Sequence, residues 1–542
     1  MIAIDLRQLP GTSSLLRDYI HQFSALAPFY AQDPRDLDAF RAEAAARSRR
    51  AYPRRELIEI LAEQNAQWGA PAAVRAQLEE LEQSDAVAVL TGQQTGLFGG
   101  PLYTLYKALT TVALARRLRA TLRRPVLPVF WLAAEDHDVA EADHIQLPDR
   151  SGTLLTLRFS AWETPPGYLP ANLRLGAGIA ATLEELRTHL PSTEFMPWLT
   201  EALARAYAPG RTLADAFAVW MTTLLGEHGL VLVNPADQRL KRLSADLIGR
   251  ELAEAPHSAQ RILEASEQLR ARGYPAQIEA RPDGVNCFLL AGGRRALVRE
   301  PAGFRLRDSG ELIPAVTLQR LAEEAPEQFS PNVALRPVVQ DALFPTLSYV
   351  AGPGELAYFA QLRPVYEQFG VPMPILLPRA FLTLADPRSL QLLERFRLGL
   401  PDLTLEPEQL SSRVLRALLP PDVEAKLAKA RDEVGEIFQG VGEAVAGVDP
   451  TLRATVGQTA GHIRGHLDQL ERKTVQALKR READTRQQLL RLCQALMPGG
   501  RLQERVLPAL PYLAKYGPGL VQTLGQTIDG PGWEHLLVGL GG

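Results

Sequence analysis

A chain of 542 residues is long for a single domain and reads as about three, counting on the order of 150–200 residues each. Lys plus Arg number 59 against 62 Asp plus Glu, a net charge of −3, so no global basic field marks a nucleic-acid binder. Only Cys287 and Cys493 are present, far apart, which excludes a disulfide framework and a Cys-based zinc cluster; with no run near the roughly 20 apolar residues of a membrane span, a soluble protein of the reducing cytoplasm is expected, with no membrane partner.

Residues 1–80 carry charged, Ala-rich helical patterns, notably at 36–47 and 55–67, and are expected to cover a sheet. The stretch 86–118, AVAVLTGQQTGLFGGPLYTLYKALTTVALARRL, then reads as strand, glycine loop and helix. Its unbroken apolar start suits a strand buried on both faces of a parallel sheet. Pro101 stands where a helix begins, Leu102, Leu105, Leu109 and Val112 recur at helical spacing, and Arg116, Arg117 and Arg119 suit a helix C-terminus. Such a unit aims backbone N–H groups at one spot and suits a phosphate or carboxylate, although it matches neither GxGxxG nor GxxxxGK[ST]. A second buried strand, VLPVFWLAAEDHD at 126–138, places Glu135, Asp136, His137 and Asp138 beyond its carboxyl end, where open parallel sheets bind ligands.

From 151 to 204 the pattern changes to that of an insertion. The α/β alternation resumes with a helix at 213–228 and a strand at 230–233, and a second insertion contains a hairpin signal at Gly292 and Gly293. Strands are expected near Val338, at 348–350 and at 375–377, with a second glycine turn at Gly352, Pro353 and Gly354 leading into a helix. Beyond Arg388, Val423, Leu427, Ala430, Val434, Ile437, Val441 and Ala444 form a heptad seam, and a second helix runs from Leu452 toward Leu492. Gly447, Asp449 and Pro450 supply a stop, a cap and a helix-opening proline between them, so an antiparallel helical hairpin is expected.

Four long stretches in order, TGQQTGLFGGPLYTLYK, VFWLAAEDHD, YVAGPGELAY and RLQERVLPALPYLAKYGP, carry a resemblance to the cysteine-adding enzyme family of bacillithiol biosynthesis, BshC. The resemblance implies an α/β fold: a Rossmann-type parallel-sheet core related to class I aminoacyl-tRNA synthetases, with connecting-peptide insertions and an antiparallel coiled coil that joins a homodimer. It implies an ATP-dependent ligase that adds L-cysteine to glucosaminyl malate, with ATP as co-substrate and the metal requirement unknown. The organisation expected is N-terminal helices and the first half of the core at 1–150, a first insertion at 151–204 and core again at 205–250. A second insertion with a β-hairpin at 251–330, the second half of the core at 331–388, the coiled coil at 389–500 and a tail packing on the core at 501–542 complete it.

Within that scheme Gly92, Gln93, Gln94, Gly99, Tyr103, Thr104 and Lys107 surround phosphate or carboxylate. Asp136, His137 and Asp138 are the catalytic candidates, since a histidine flanked by carboxylates serves as a proton shuttle for an incoming amine; hydrogen bonding is favoured over metal. Gly352, Gly354, Glu355 and Tyr358 form a second half-site for ribose or adenine, and Arg336 and Arg379 offer forks to the carboxylates of malate. His462 and His466 superficially resemble a class I HIGH signature, yet they lie inside a heptad helix and belong on a solvated face; no KMSKS-like loop is evident. Cys287 alternates with apolar neighbours and belongs to a core. Two rival readings remain open: another acyl or nucleotidyl transferase on the same core, and a non-catalytic nucleotide-binding scaffold for the pathway.

Overall fold

The computed structural model describes residues 1–135, 139–149, 153–163, 169, 171–418 and 423–541, with the side chains of 407, 412, 415–418, 423–424, 428, 471–472 and 474–482 left aside. The chain forms two compact units, one of residues 1–386 and 501–542 and one of residues 387–500.

The first unit is built on five parallel strands: β1 (Val87–Gln93), β2 (Val126–Leu132), β3 (Val231–Val233), β4 (Thr346–Ala351) and β5 (Ile375–Pro378). Their order across the sheet is β5-β4-β1-β2-β3. Leu376, Tyr349, Leu90, Val129 and Val231 form one cross-strand row. The apolar runs that predict strands buried on both faces are so buried in all five. Pro128, which has no N–H to donate, stands one residue before β2 begins to pair with β3. Numbered by sequence, the order reverses between β1 and β4, which makes the carboxyl ends of these two strands the topological switch point.

Helix α1 (Leu102–Leu122) covers one face, its Leu114, Ala115 and Leu118 packing with Val87, Val89 and Val126. From the N-terminal region Phe40 and Ala44 of helix Leu37–Ser48 join the same cluster. The open edge of β3 is closed by an amide side chain in place of a strand: Leu232 N–H donates to Asn65 Oδ1 at 3.1 Å, and Asn65 Nδ2 donates to the Leu232 carbonyl at 2.9 Å.

The region near Val338 departs from the expected strand. It is a helix, α2 (Arg336–Leu343), because Pro337 is tolerated in a first helical turn but not in a strand interior. The hairpin at Gly292 and Gly293 belongs to a larger antiparallel sheet, in which Gly284–Leu290 and Arg294–Glu300 pair with each other and with flanking strands Gly303–Leu306 and Phe329–Pro331. Within residues 151–204, Leu154–Arg158 pairs antiparallel with His144–Pro148.

The C-terminal segment is fastened to the first unit by three devices. Strand His535–Gly539 pairs in parallel with Phe381–Ala385. Gln503 closes a two-way amide bridge with Leu384, at 2.8 and 2.9 Å. The fully buried Glu504 carboxylate accepts from Arg379 Nη2 at 2.6 Å and from Leu382 N–H at 2.9 Å.

In the second unit, helices Val423–Ala446 and Leu452–Leu496 run antiparallel. Arg431 meets Asp468, Gly435 lies against Arg464 and Gly442 against Val456, so positions rise on one helix as they fall on the other. The seam is only partly covered within the chain: Val434 is half-buried, whereas Ile437 is 61% and Val441 41% exposed. His462 and His466 are exposed.

Candidate functional site

A cavity of about 740 Å³ opens at the switch point, between the carboxyl ends of β1 and β4. Eleven of the thirteen residues expected to bind substrate or nucleotide line it: Gly92, Gln93, Gln94, Tyr103, Lys107, Arg336, Gly352, Gly354, Glu355, Tyr358 and Arg379. They come from elements more than 200 residues apart, yet the register of β1 against β4 brings both glycine turns to one rim.

In its wall lies a buried ion pair. Lys107, on the second turn of α1, is 2% exposed and sits 2.5 Å from Glu355 Oε2, while its ammonium also donates to the Gly92 carbonyl and to Gln93 Oε1. Glu355 belongs to the first turn of α3 (Pro353–Phe359), where it accepts from the Gly352 N–H at 2.7 Å as a helix cap. Its other oxygen accepts from Tyr349 Oη at 2.7 Å. Burial pushes the Lys107 ammonium below its ordinary pKa, and the Glu355 carboxylate opposes that shift. Gly92 is required here by proximity: a Cβ would stand 3.1 Å from the Trp131 carbonyl and 3.4 Å from Tyr349 Oη.

Arg336 opens α2 and donates from Nη2 to Tyr358 Oη at 2.7 Å. Arg379 lines the cavity but is held by Glu504 and lies over the rings of Tyr103 and Phe381. Its guanidinium is thus a fastening group first, which corrects its expected role as a free fork for a carboxylate. Glu135, at the end of β2, is 2.5 Å from Lys241 Nζ, whose ammonium also donates to the Phe329 carbonyl.

Two expectations need correction. Gly99 does not line the cavity: at φ +94° its Cα faces the buried indole of Trp220, whose Nε1 would lie 2.7 Å from a Cβ. At the N-terminus of α1 the Leu102 N–H donates to the Leu507 carbonyl, the Thr104 N–H to the Pro101 carbonyl, and Pro101 bridges Pro508. Thr104 lines a smaller neighbouring cavity instead, of about 160 Å³. The catalytic candidates Asp136, His137 and Asp138 lie outside the described residues.

Sequence reasoning missed the contribution of the antiparallel sheet and of the C-terminal segment. Arg294, Phe288, Asn332 and Glu279 line the cavity from the former and its neighbours, and Arg505 from the latter. Arg505 sits in the LQERVLP stretch already singled out for its resemblance, which was the available signal; no local pattern announces Arg294. Among the described lining residues, Lys107, Arg294, Arg336, Arg379 and Arg505 outnumber Glu135, Glu279 and Glu355, so the cavity favours anionic ligands. Among the described residues no group of three or more His, Cys, Asp or Glu is placed to hold a metal ion. Burial pushes the Cys287 thiol well up and Cys493 to about 11, which leaves neither a reactive thiolate.

Comparison with known proteins gives a consistent family. The sequence model of the N-terminal Rossmann-like domain of bacillithiol biosynthesis BshC matches residues 2–380, and that of its C-terminal coiled-coil domain matches residues 382–540. In the fold, residues 501–542 belong with the first unit. A protein of Salinibacter ruber named "Putative cysteine ligase BshC" is 37% identical over 528 residues, covering 97% of this chain and 96% of that protein. Proteins of the same name from Chlorobaculum tepidum and Koribacter versatilis are 35% and 34% identical, covering 98% and 99% of this chain and 97% and 99% of theirs.

Proposed function

The chain belongs to the BshC family of bacillithiol biosynthesis, and on that premise we propose that it is an ATP-dependent ligase joining the carboxyl group of L-cysteine to the amine of glucosaminyl malate. The observation that carries the reading is the cationic cavity at the switch point, into which both halves of the parallel sheet send a charged group, Lys107 from one and Glu355 from the other. A cavity of about 740 Å³ lies within the roughly 300–1,000 Å³ of small-molecule sites.

Joining a carboxylate to an amine requires a better leaving group on the acyl carbon, which ATP supplies when bound. The chain's own residues then position the reactants and neutralise charge, which accounts for most of the acceleration in such reactions. Lys107 is fixed by three acceptors, which take up its three N–H donors, so its positive charge is preorganised in the cavity wall and acts on a phosphate or carboxylate through its field. Arg336, oriented by Tyr358, adds a planar fork suited to a carboxylate such as those of malate. Asp136, His137 and Asp138 follow β2 in sequence and carry the proposed removal of the ammonium proton before attack. The relation of the core to class I aminoacyl-tRNA synthetases and a cytoplasmic location belong to the same proposal; among the described residues no helix is long and apolar enough to cross a membrane.

Incubating the purified protein with cysteine, ATP and glucosaminyl malate should yield the amide, identified by mass spectrometry. Nucleotide binding without any product would favour the scaffold reading, and transfer to a different acceptor would favour another transferase. We further propose a homodimer through the second unit, because Ile437, Val441 and Leu470 leave apolar surface uncovered that a two-fold contact buries on both copies. Light scattering at micromolar concentration should give twice 59.5 kDa, and a mass of 59.5 kDa would refute it.

A further inference from the structure

The smaller cavity, of about 160 Å³, shares Gln93, Gln94, Tyr103 and Arg505 with the large one and is therefore its side chamber. At that volume it falls below the size of ordinary drug-sized sites and admits only a very small molecule. Its charges are of both signs. Arg505 is exposed, and its side chain has no hydrogen bond or ion pair among the described residues; Arg501 has only Gln146 Oε1, at 3.1 Å. Glu141, from the short helix after β2, likewise has no ion pair or side-chain hydrogen bond among the described residues. Burial, and after it the fields of Arg379, Arg505 and Glu141, act on the Tyr103 phenol, so the free cation and the free carboxylate both lie within electrostatic reach of one wall residue. Ile145 and Val506 provide an apolar side.

An uncommitted guanidinium and an uncommitted carboxylate around one small chamber match the two ends of a zwitterion, and charge-assisted hydrogen bonds to each end are the strong kind. We infer that this side chamber is the subsite for a small α-amino acid, its carboxylate held by Arg505 at the opening into the large cavity and its ammonium by Glu141. The inference rests on the ligase reading for the identity of the amino acid, cysteine, and adds where it sits. Because Arg505 lines both cavities, the carboxylate it holds faces the space where activation and amine attack take place. The segment at 501–508 thus acquires a role: Gln503 and Glu504 fasten it, and Arg505 works at the chamber.

The test is calorimetry of the full-length protein with L-cysteine, cysteamine, which lacks the carboxylate, and 3-mercaptopropionate, which lacks the ammonium. Arg505→Met is expected to weaken cysteine at least tenfold and to leave cysteamine unchanged. Glu141→Gln is expected to weaken cysteine and cysteamine at least tenfold, leaving 3-mercaptopropionate and ATP unchanged. Both side chains are exposed, and melting temperatures of the variants within about two degrees of the wild type would confirm intact folding. Cysteine affinity unaltered in both variants would overturn the assignment while leaving the ligase reading standing. Failure of the wild type to bind any small α-amino acid would also overturn it. Binding of another small amino acid that depends on both residues, with no amide formed from cysteine, would uphold the chamber and discard the ligase reading.

Discussion

Two buried ion pairs stand at the wall of the same cavity and do opposite work. Lys107–Glu355 joins the two halves of the parallel sheet at the switch point, and both partners line the cavity. Arg379–Glu504 ties the C-terminal segment to the strand at Phe381–Ala385, and Glu504 is fully buried behind the wall. The difference lies in the remaining hydrogen bonds. Glu355 is held by a Tyr hydroxyl and a helix-capping N–H even without its lysine, whereas Arg379 has as its other partners one carbonyl and two aromatic rings. A pair whose carboxylate keeps two donors without its cation tolerates the loss of that cation; one whose fully buried carboxylate keeps a single backbone donor is a structural bolt.

The largest effect should come from unbolting. Arg379→Met leaves Glu504 buried with a single backbone donor and is expected to cost about 3–5 kcal/mol in urea unfolding, the usual penalty for orphaning one member of a buried pair. Lys107→Met should reverse the balance, lowering amide formation on the order of 100-fold, as removal of a preorganised charge does. Its stability loss should be smaller, about 1–2 kcal/mol. If Lys107→Met unfolds the protein as readily as Arg379→Met, the distinction between the pairs collapses.

His535 sharpens the comparison from the structural side. It is fully buried, shares a 2.8 Å hydrogen bond with Thr383 Oγ1, and burial holds its pKa down at about 4 from 6.5, with Glu504 opposing that shift. Between those values the unfolded chain binds a proton that the folded chain refuses, so this contribution to stability is present above pH 6.5 and is lost as the pH falls toward 4. At about 1.4 kcal/mol per unit the loss is on the order of 3 kcal/mol. Denaturant titrations at pH 7 and pH 4.5 should show it in the wild type and a shallower dependence in His535→Gln; equal slopes would take His535 out of the account. No effect on ligand binding is expected at Gly99, where Gly99→Val should cost at least about 1–3 kcal/mol through overpacking against Trp220 and a φ of +94° that a β-branched residue rarely adopts, yet leave nucleotide affinity of the folded protein unchanged. A selective loss of affinity there would return the glycine loop to the ligand site.

Much of the site was legible because its residues cluster at the ends of apolar runs. A run buried on both faces has to place its first polar residues at a sheet edge, and Gly92, Gln93 and Gly352 follow from that alone. Arg379 was legible as a position and not as a role, since its partner Glu504 lies 125 residues away in a segment with no periodic signal. The misreading at Val338 has a local cause: an apolar pair flanked by polar residues fits either period, and only Pro337 argued for a helix start.

By itself the sequence determined the parallel sheet, its two glycine turns, the helical hairpin and the family, because each is written in periodicity, in backbone-special residues or in long ordered motifs. Tertiary structure alone decided which glycine lines the cavity and which packs away from it. It also decided which buried charge is bolted and which is presented, and that the final segment closes the side chamber of the site. Those outcomes depend on which distant side chain fills the space opposite, as Trp220 does for Gly99 and Glu504 for Arg379, and no local pattern encodes that choice.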